Sequence, residues 1–215
     1  MDIDFTRADA AERYRLLTNF VGPRPIALVS TVSVNGGHNA APMSFFNVVS
    51  HEPPLLVLGI QPRSPGTDKD TVANLRATGE FTVNMVDLDL APGMLLCGLD
   101  PGPGVDEIAL AGLTAHPGTQ IAAPRIAESP CAFECRVERI LDYPLRAVVL
   151  GRVVHMHVRD TCLDSAGRYV DPDRYQPIAR LHADRYIVAN DQFDLPEPPL
   201  SALVDANRKT LGGRA

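Results

Sequence analysis

Tryptophan is absent from this 215-residue chain and aromatic side chains make up only 6% of it. That removes the usual stacking platform for single-stranded nucleic acid. Positive charge is also in deficit: 20 Lys and Arg stand against 26 Asp and Glu, a formal net charge of −6. Binding a nucleic acid requires clustered cations against the phosphates, so no nucleic-acid partner is expected, and any anionic ligand must be held by a local basic pocket. No apolar run approaches the roughly 20 residues that span a bilayer, so no membrane insertion is expected. Residues Met1 to Ala11 carry three aspartates and no apolar h-region, which does not read as a secretory signal, and a cytoplasmic location is the expectation. The four cysteines, Cys97, Cys131, Cys135 and Cys162, follow no disulfide-framework or zinc-knuckle spacing and read as buried thiols, so redox chemistry here needs a cofactor. There is no Gly-x-Ser-x-Gly elbow to support nucleophilic hydrolysis. His155 and His157 share a strand face, but no carboxylate or thiolate pattern completes a metal site around them, so no metal is expected and they read as a surface or interface pair.

What is present reads as mainly β. An apolar share of 45% with 21% charge suits a single globular domain, placed here at residues 1–195, with a proline-containing arm or disordered tail at 196–215. Asp9 followed by Glu12 has the spacing of a capping box and opens a short helix that ends by Gly22-Pro23. A strand runs from Arg24 to Val34 into the turn Asn35-Gly36-Gly37. The return run from His38 to Ser50 is β-rich but broken by Pro42, which lacks a ladder donor and marks a bulge or an edge. Leu55 to Ile60 is continuously apolar and is expected to be buried on both faces. A helix is predicted over Asp70–Thr78, closed by Gly79, and then a strand over Phe81–Val86. An irregular excursion with two short helices follows over Asp87–Pro124, and two long alternating strands run through Cys131–Val137 and Val148–Val158.

Two segments carry possible chemistry. In Arg63-Ser64-Pro65-Gly66-Thr67-Asp68-Lys69-Asp70-Thr71, two cations, three hydroxyls and the free N–H groups of a helix start suit a phosphate dianion, although the spacing is not that of a P-loop. The alternative is a solvated loop with Asp70 or Thr71 as a helix cap. In Asn39-Ala40-Ala41-Pro42-Met43-Ser44-Phe45-Phe46-Asn47, small residues, amides and a proline-broken strand leave backbone groups free to meet a planar heterocycle. Here the alternative is two core aromatics beside an edge proline.

Together with Pro23-Arg24-Pro25-Ile26-Ala27-Leu28-Val29-Ser30-Thr31, Val105-Asp106-Glu107, Gly151-Arg152-Val153-Val154-His155 and Arg180-Leu181, these segments resemble the flavin reductase-like family. The resemblance implies an FMN-binding split β-barrel (Greek-key) with a few short peripheral helices, in a homodimer whose flavin lies at the subunit boundary. By the same resemblance Arg24, Thr31, Asn39, Ala41, Pro42, Ser44, Phe45, Phe46 and Asn47 surround the isoalloxazine and ribityl chain, while Arg63, Lys69, Asp70 and Thr71 hold the phosphate. The activity it implies is hydride transfer from NADH or NADPH to FMN, with a flavin-dependent monooxygenase as one acceptor. A non-enzymatic FMN-binding protein or electron carrier is the alternative. The hydride chemistry belongs to the flavin, so no catalytic acid or base is nominated, and His182 is the candidate for contacting the nicotinamide nucleotide. Where many relatives have a Gly-Gly pair after Arg-Leu, this chain has His182-Ala183.

Overall fold

The computed structural model describes residues 1–64 and 66–199. Of the anticipated tail, 200–215 lie outside the described residues, and 191–199 carry no regular secondary structure. Helix α1 (Ala10–Phe20) begins where Asp9 accepts from the Glu12 amide at 2.8 Å. The short β1 (Arg24–Pro25) leads into β2 (Ala27–Val32), β3 (His38–Met43), β4 (Phe46–His51) and β5 (Pro54–Ile60). Helix α2 (Asp70–Thr78) ends on Gly79, whose φ of 70° is the left-handed C-cap that glycine adopts without strain. After β6 (Glu80–Met85) the excursion holds helices α3 (Ala91–Cys97) and α4 (Glu107–Leu110) and the two-residue strands β7 (Ala115–His116) and β8 (Arg125–Ile126). The long strands β9 (Cys131–Tyr143) and β10 (Arg146–Val158) follow, and the small hairpin β11 (Ile178–Arg180) and β12 (Tyr186–Val188) closes the described fold.

Seven strands pair antiparallel in the order β3-β2-β6-β9-β10-β5-β4. Its two terminal strands, β3 and β4, are consecutive in sequence and separated only by Ser44 and Phe45, so the run from His38 to His51 bends and belongs to both ends of the sheet. Gly59 donates to the Phe45 carbonyl at 2.7 Å, carrying the β4–β5 ladder into that bend. Pro42 sits within β3 opposite Leu28. Residues two apart in a strand send their N–H groups to the same side. Ala40 sends its own outward to Glu107, so the N–H that Pro42 lacks belongs to the unpaired edge of β3 and costs no ladder bond.

Inside the barrel, Val29, Leu58, Phe81, Val83 and Val149 are fully buried and meet Val72 and Leu75 from α2, which plugs one end. Phe81 lies over Gly151, where any Cβ would fall 2.2 Å from the ring. Strand β5 buries Leu56, Leu58 and Ile60 toward this core and leaves Leu55, Val57 and Gly59 half-covered. The expected burial of both faces therefore belongs instead to β2. There Ala27 and Val29 face the barrel core, while Leu28, with Ile26 just before the strand, faces a second core built with Val86 and with Leu90, Met94 and Ile108 of the excursion. Buried polar groups peg this excursion to the sheet. Asn84 donates to the Leu28 carbonyl and accepts from the Ile126 amide, and Glu134 accepts from the amides of Thr119 and Gln120, both at 2.7 Å. All four cysteines are free and buried, and desolvation pushes the Cys131 and Cys135 thiols up to about 12.

Candidate functional site

Along the unpaired edge of β3, the barrel, α2 and the excursion leave a cleft of about 310 Å³. Asn39, Ala41, Pro42 and Ser44 line it from the edge, and Arg63, Lys69, Asp70 and Thr71 from the loop and the start of α2. The two sequence segments with possible chemistry thus meet in one place. The excursion supplies the opposite wall, from Met94 to Asp100, together with Glu107; Arg180 and Tyr186 come from the small hairpin.

Behind the lining is a polar lattice. Asn39 donates to Thr31 at 3.3 Å and to Thr71 at 3.1 Å, and Asn74 donates to Thr31 at 2.9 Å, all of them buried. Thr31 does not line the cleft; it accepts from Asn39, which does, and from Asn74, which does not. Phe45 lines an adjoining hollow of about 180 Å³ on the other side of the Pro42–Ser44 edge. Phe46 points into the barrel core, and it also lines, with Asn47, a separate apolar hollow of about 380 Å³. Arg24 is engaged elsewhere: its guanidinium donates to the carbonyls of Thr18, Val21 and Leu181, tying the end of α1 to the end of β11, and it does not line the cleft. His182 is exposed in the β11–β12 turn and lines neither the cleft nor the adjoining hollow.

The phosphate-suited end has an unusual electrostatic balance. Arg63 is 2.9 Å from Asp100 and 3.8 Å from Asp70, and the Lys69 ammonium is 3.9 Å from Asp100. The Arg63 Nε is buried with no hydrogen-bond partner among the described residues. Lys69 is the N-cap of α2 and contributes no side-chain cap, while Asp70 turns away to accept from the Gly104 amide at 2.9 Å. The first-turn N–H groups of α2 thus have no side-chain cap, which is the condition that attracts an anion. A phosphate dianion would face two cations and a helix start, and would compete with Asp100 for both cations. The residues present fit a terminal phosphate.

Sequence reasoning gave Glu107 no chemical role. It enters at the first residue of α4, which is capped by Asp106 accepting from the Ala109 amide at 3.0 Å. Glu107 Oε2 accepts from the Ala40 amide at 3.1 Å. Burial pushes its carboxyl above the ordinary value, opposed by the Ala40 hydrogen bond and reinforced by the nearby Asp70 and Asp106 charges. Asp100, Arg180 and Tyr186 were missed as well. The Arg180 guanidinium is held by the Ala183 carbonyl at 2.9 and 3.2 Å and lies 5.6 Å over the Tyr186 ring. Ala183 has a φ of 49°, so the residue occupying part of the expected Gly-Gly place takes a left-handed conformation that glycine adopts more readily.

Comparison with known proteins agrees with this geometry. Residues 22–179 match the model of the flavin reductase like domain. An uncharacterized protein of Aquifex aeolicus is 39% identical over 189 residues, covering 88% of this chain and 96% of the relative. Among solved structures, nitrilotriacetate monooxygenase component B from Bacillus cereus is 32% identical with a TM-score of 0.85, covering 91% of this chain and 98% of that one. The 2-nitrobenzoate 2-nitroreductase NbaA of Pseudomonas fluorescens is 35% identical with a TM-score of 0.83, covering 93% and 98%. From the matched span, these similarities and the barrel bent open along its cleft, the chain belongs to the flavin reductase-like family of split-barrel proteins.

Proposed function

We propose that this protein is an NAD(P)H-dependent FMN reductase that works as a homodimer and passes electrons to an acceptor such as a flavin-dependent monooxygenase. The observation that carries this reading is the convergence of Asn39, Pro42, Ser44, Arg63, Lys69 and Thr71 on a single cleft. When bound, FMN supplies the hydride chemistry, accepting from the reduced nicotinamide and donating onward. The chain supplies position and electrostatics. Arg63, Lys69 and the start of α2 hold one terminal phosphate; no Gly-x-Gly-x-x-Gly turn is present for a pyrophosphate, which favours FMN over FAD. The unpaired edge of β3 and the Ser44 hydroxyl offer hydrogen-bonding groups to the polar rim of a planar ring, and Met94 and Leu95 exclude water from its other side. Glu107, by engaging the Ala40 amide, fixes the edge against which the ring lies.

The homodimer is supported by the 380 Å³ apolar hollow framed by Phe46, Leu56, Phe133 and Val158, around which Val48 and Met156 are exposed. Such a patch on a barrel face suits a second copy. Component B of nitrilotriacetate monooxygenase and 2-nitrobenzoate 2-nitroreductase, to which the chain is similar, make both a partner monooxygenase and a small acceptor reasonable recipients of electrons. The test is oxidation of NADH or NADPH by the purified protein with FMN supplied, together with mass spectrometry of any flavin released on denaturation and light scattering at several dilutions. Sustained nucleotide oxidation by a dimer carrying FMN is expected. Tight FMN binding without nucleotide oxidation would leave the electron-carrier reading in its place.

A further inference from the structure

The hollow beside the cleft has its own chemistry. Its volume is about 180 Å³, and it shares Ala41–Ser44, Lys69 and Arg180 with the flavin cleft while adding Tyr14, Phe45, Gly59, Ile60, Gln61 and Arg146. Three cations and two aromatic rings therefore face it, and its lining contains no carboxylate. Two of the cations are already engaged, Lys69 3.9 Å from Asp100 and Arg180 3.8 Å from Asp184, whereas no carboxylate among the described residues pairs with Arg146. Arg146 is the distinctive member. Its guanidinium lies 4.8 Å from the Phe45 ring centroid, and its one hydrogen bond among the described residues, to the Gly59 carbonyl, is long at 3.4 Å. Phe45 in turn stands 6.2 Å from Tyr14 at an interplanar angle of 33°. Burial holds the Arg146 guanidinium below its ordinary value, with only the Tyr14 phenol offsetting it. A desolvated cation stacked on a ring, with donors to spare and no acid to meet them, matches a ligand that brings both a planar anion and a ring of its own.

We propose that this hollow is a second ligand subsite, one that takes a single-ring aromatic carboxylate with Arg146 as its anion-holding residue. Guanidinium and carboxylate match as planar, bidentate partners, and the Phe45 and Tyr14 rings provide offset stacking for the aromatic part. The size sets the limit. Pockets for drug-sized ligands start at about 300 Å³, so this hollow holds one ring and its carboxylate rather than a whole dinucleotide. That the subsite lies beside a flavin rests on the proposed function; the recognition of ring and anion does not.

The experiment titrates benzoate, benzamide and cyclohexanecarboxylate into the full chain, with and without FMN, following thermal protection and the visible spectrum of added FMN. Benzoate is expected to bind at least about tenfold more tightly than either analogue, because benzamide lacks the charge and cyclohexanecarboxylate the aromatic face. Arg146→Met should weaken benzoate binding about tenfold or more, Arg146→Lys by less, while both change the FMN dissociation constant by under about twofold. Equal binding of benzoate and benzamide, or benzoate binding unmoved by Arg146→Met, would overturn the proposal. Should Arg146→Met fail to fold, Arg146→Lys and the benzoate-to-benzamide ratio on the unaltered protein decide it alone. FMN binding without benzoate binding sinks the subsite and leaves the flavin reading standing. The reverse result sinks the flavin reading and supports the subsite.

Discussion

The closed wall of the barrel and the rim of its cleft are filled in opposite ways. On the wall, Leu58, Phe81, Val83 and Val149 have no exposed surface, and Phe81 presses on a glycine. At the rim and just behind it stand Thr31, Asn39, Thr71, Asn74 and Glu107, buried too but each joined to a polar partner. Apolar burial is worth roughly 1.5–3 kcal/mol per large side chain, whereas a satisfied buried hydrogen bond nets only about 0.5–1.5 kcal/mol. The wall is therefore where stability is concentrated. The rim gives up some of that gain for fixed donors, acceptors and charges, and substitutions in the two regions should be read by different measurements.

The sharpest separation comes from Phe81→Ala. Emptying the wall at a fully buried aromatic should lower unfolding free energy by about 3–5 kcal/mol, measured by chemical denaturation, with FMN affinity per folded molecule unchanged. A comparable loss of affinity would mean that wall and rim are not separable. Lys69→Ala should do the opposite, weakening FMN binding by about 1.5–3 kcal/mol, the range for a hydrogen bond to a charged group, with little change in unfolding. Titration of the flavin-free protein reads it directly. Asp100→Asn should tighten FMN binding, because it removes the carboxylate that occupies Arg63 and Lys69. Asp100 is 43% exposed, so solvent screening holds the gain below about 1 kcal/mol, and it should shrink as salt is added. The subtlest effect concerns Glu107, whose folded pKa lies above its unfolded one. Between those two values the native state holds the extra proton, so this group makes stability fall as pH rises. Glu107→Gln keeps an acceptor for the Ala40 amide and should remove that slope; denaturation midpoints across mildly acidic pH, compared with the unaltered protein, would show it.

The wall was far more legible in the sequence than the rim. Alternation in β9 and β10, the Asn35-Gly36-Gly37 turn and the Gly79 stop are local signals, and each element they predict is present. The capping pair Asp9 and Glu12 likewise gave the start of α1. The burial of β2 on both faces was not legible. It depends on the excursion returning over the sheet, and alternation cannot report a cover supplied from residues 86–126. At the rim, the phosphate-suited loop and the proline-broken strand could be named because each is a continuous segment. Asp100, Glu107, Arg146 and Arg180 reach the same region from elements far apart in sequence, through a fold that only the assembled barrel creates. Arg24 shows the converse: its place on a motif strand suggested a ligand contact, yet its donors meet three backbone carbonyls, two at the end of a neighbouring helix.

The open edge of β3 has a consequence for solubility. A barrel with an exposed strand edge invites another chain to extend the sheet, the usual route to edge-to-edge aggregation. Here two successive outward positions are closed to that: the Ala40 amide already donates to Glu107, and Pro42 has no N–H to give. An incoming strand would find no regular row of donors and could not register. The same two residues leave the carbonyls and the Ser44 hydroxyl accessible to something smaller and irregular. The edge can thus stay open to a ligand of a few rings while remaining shut to a copy of itself.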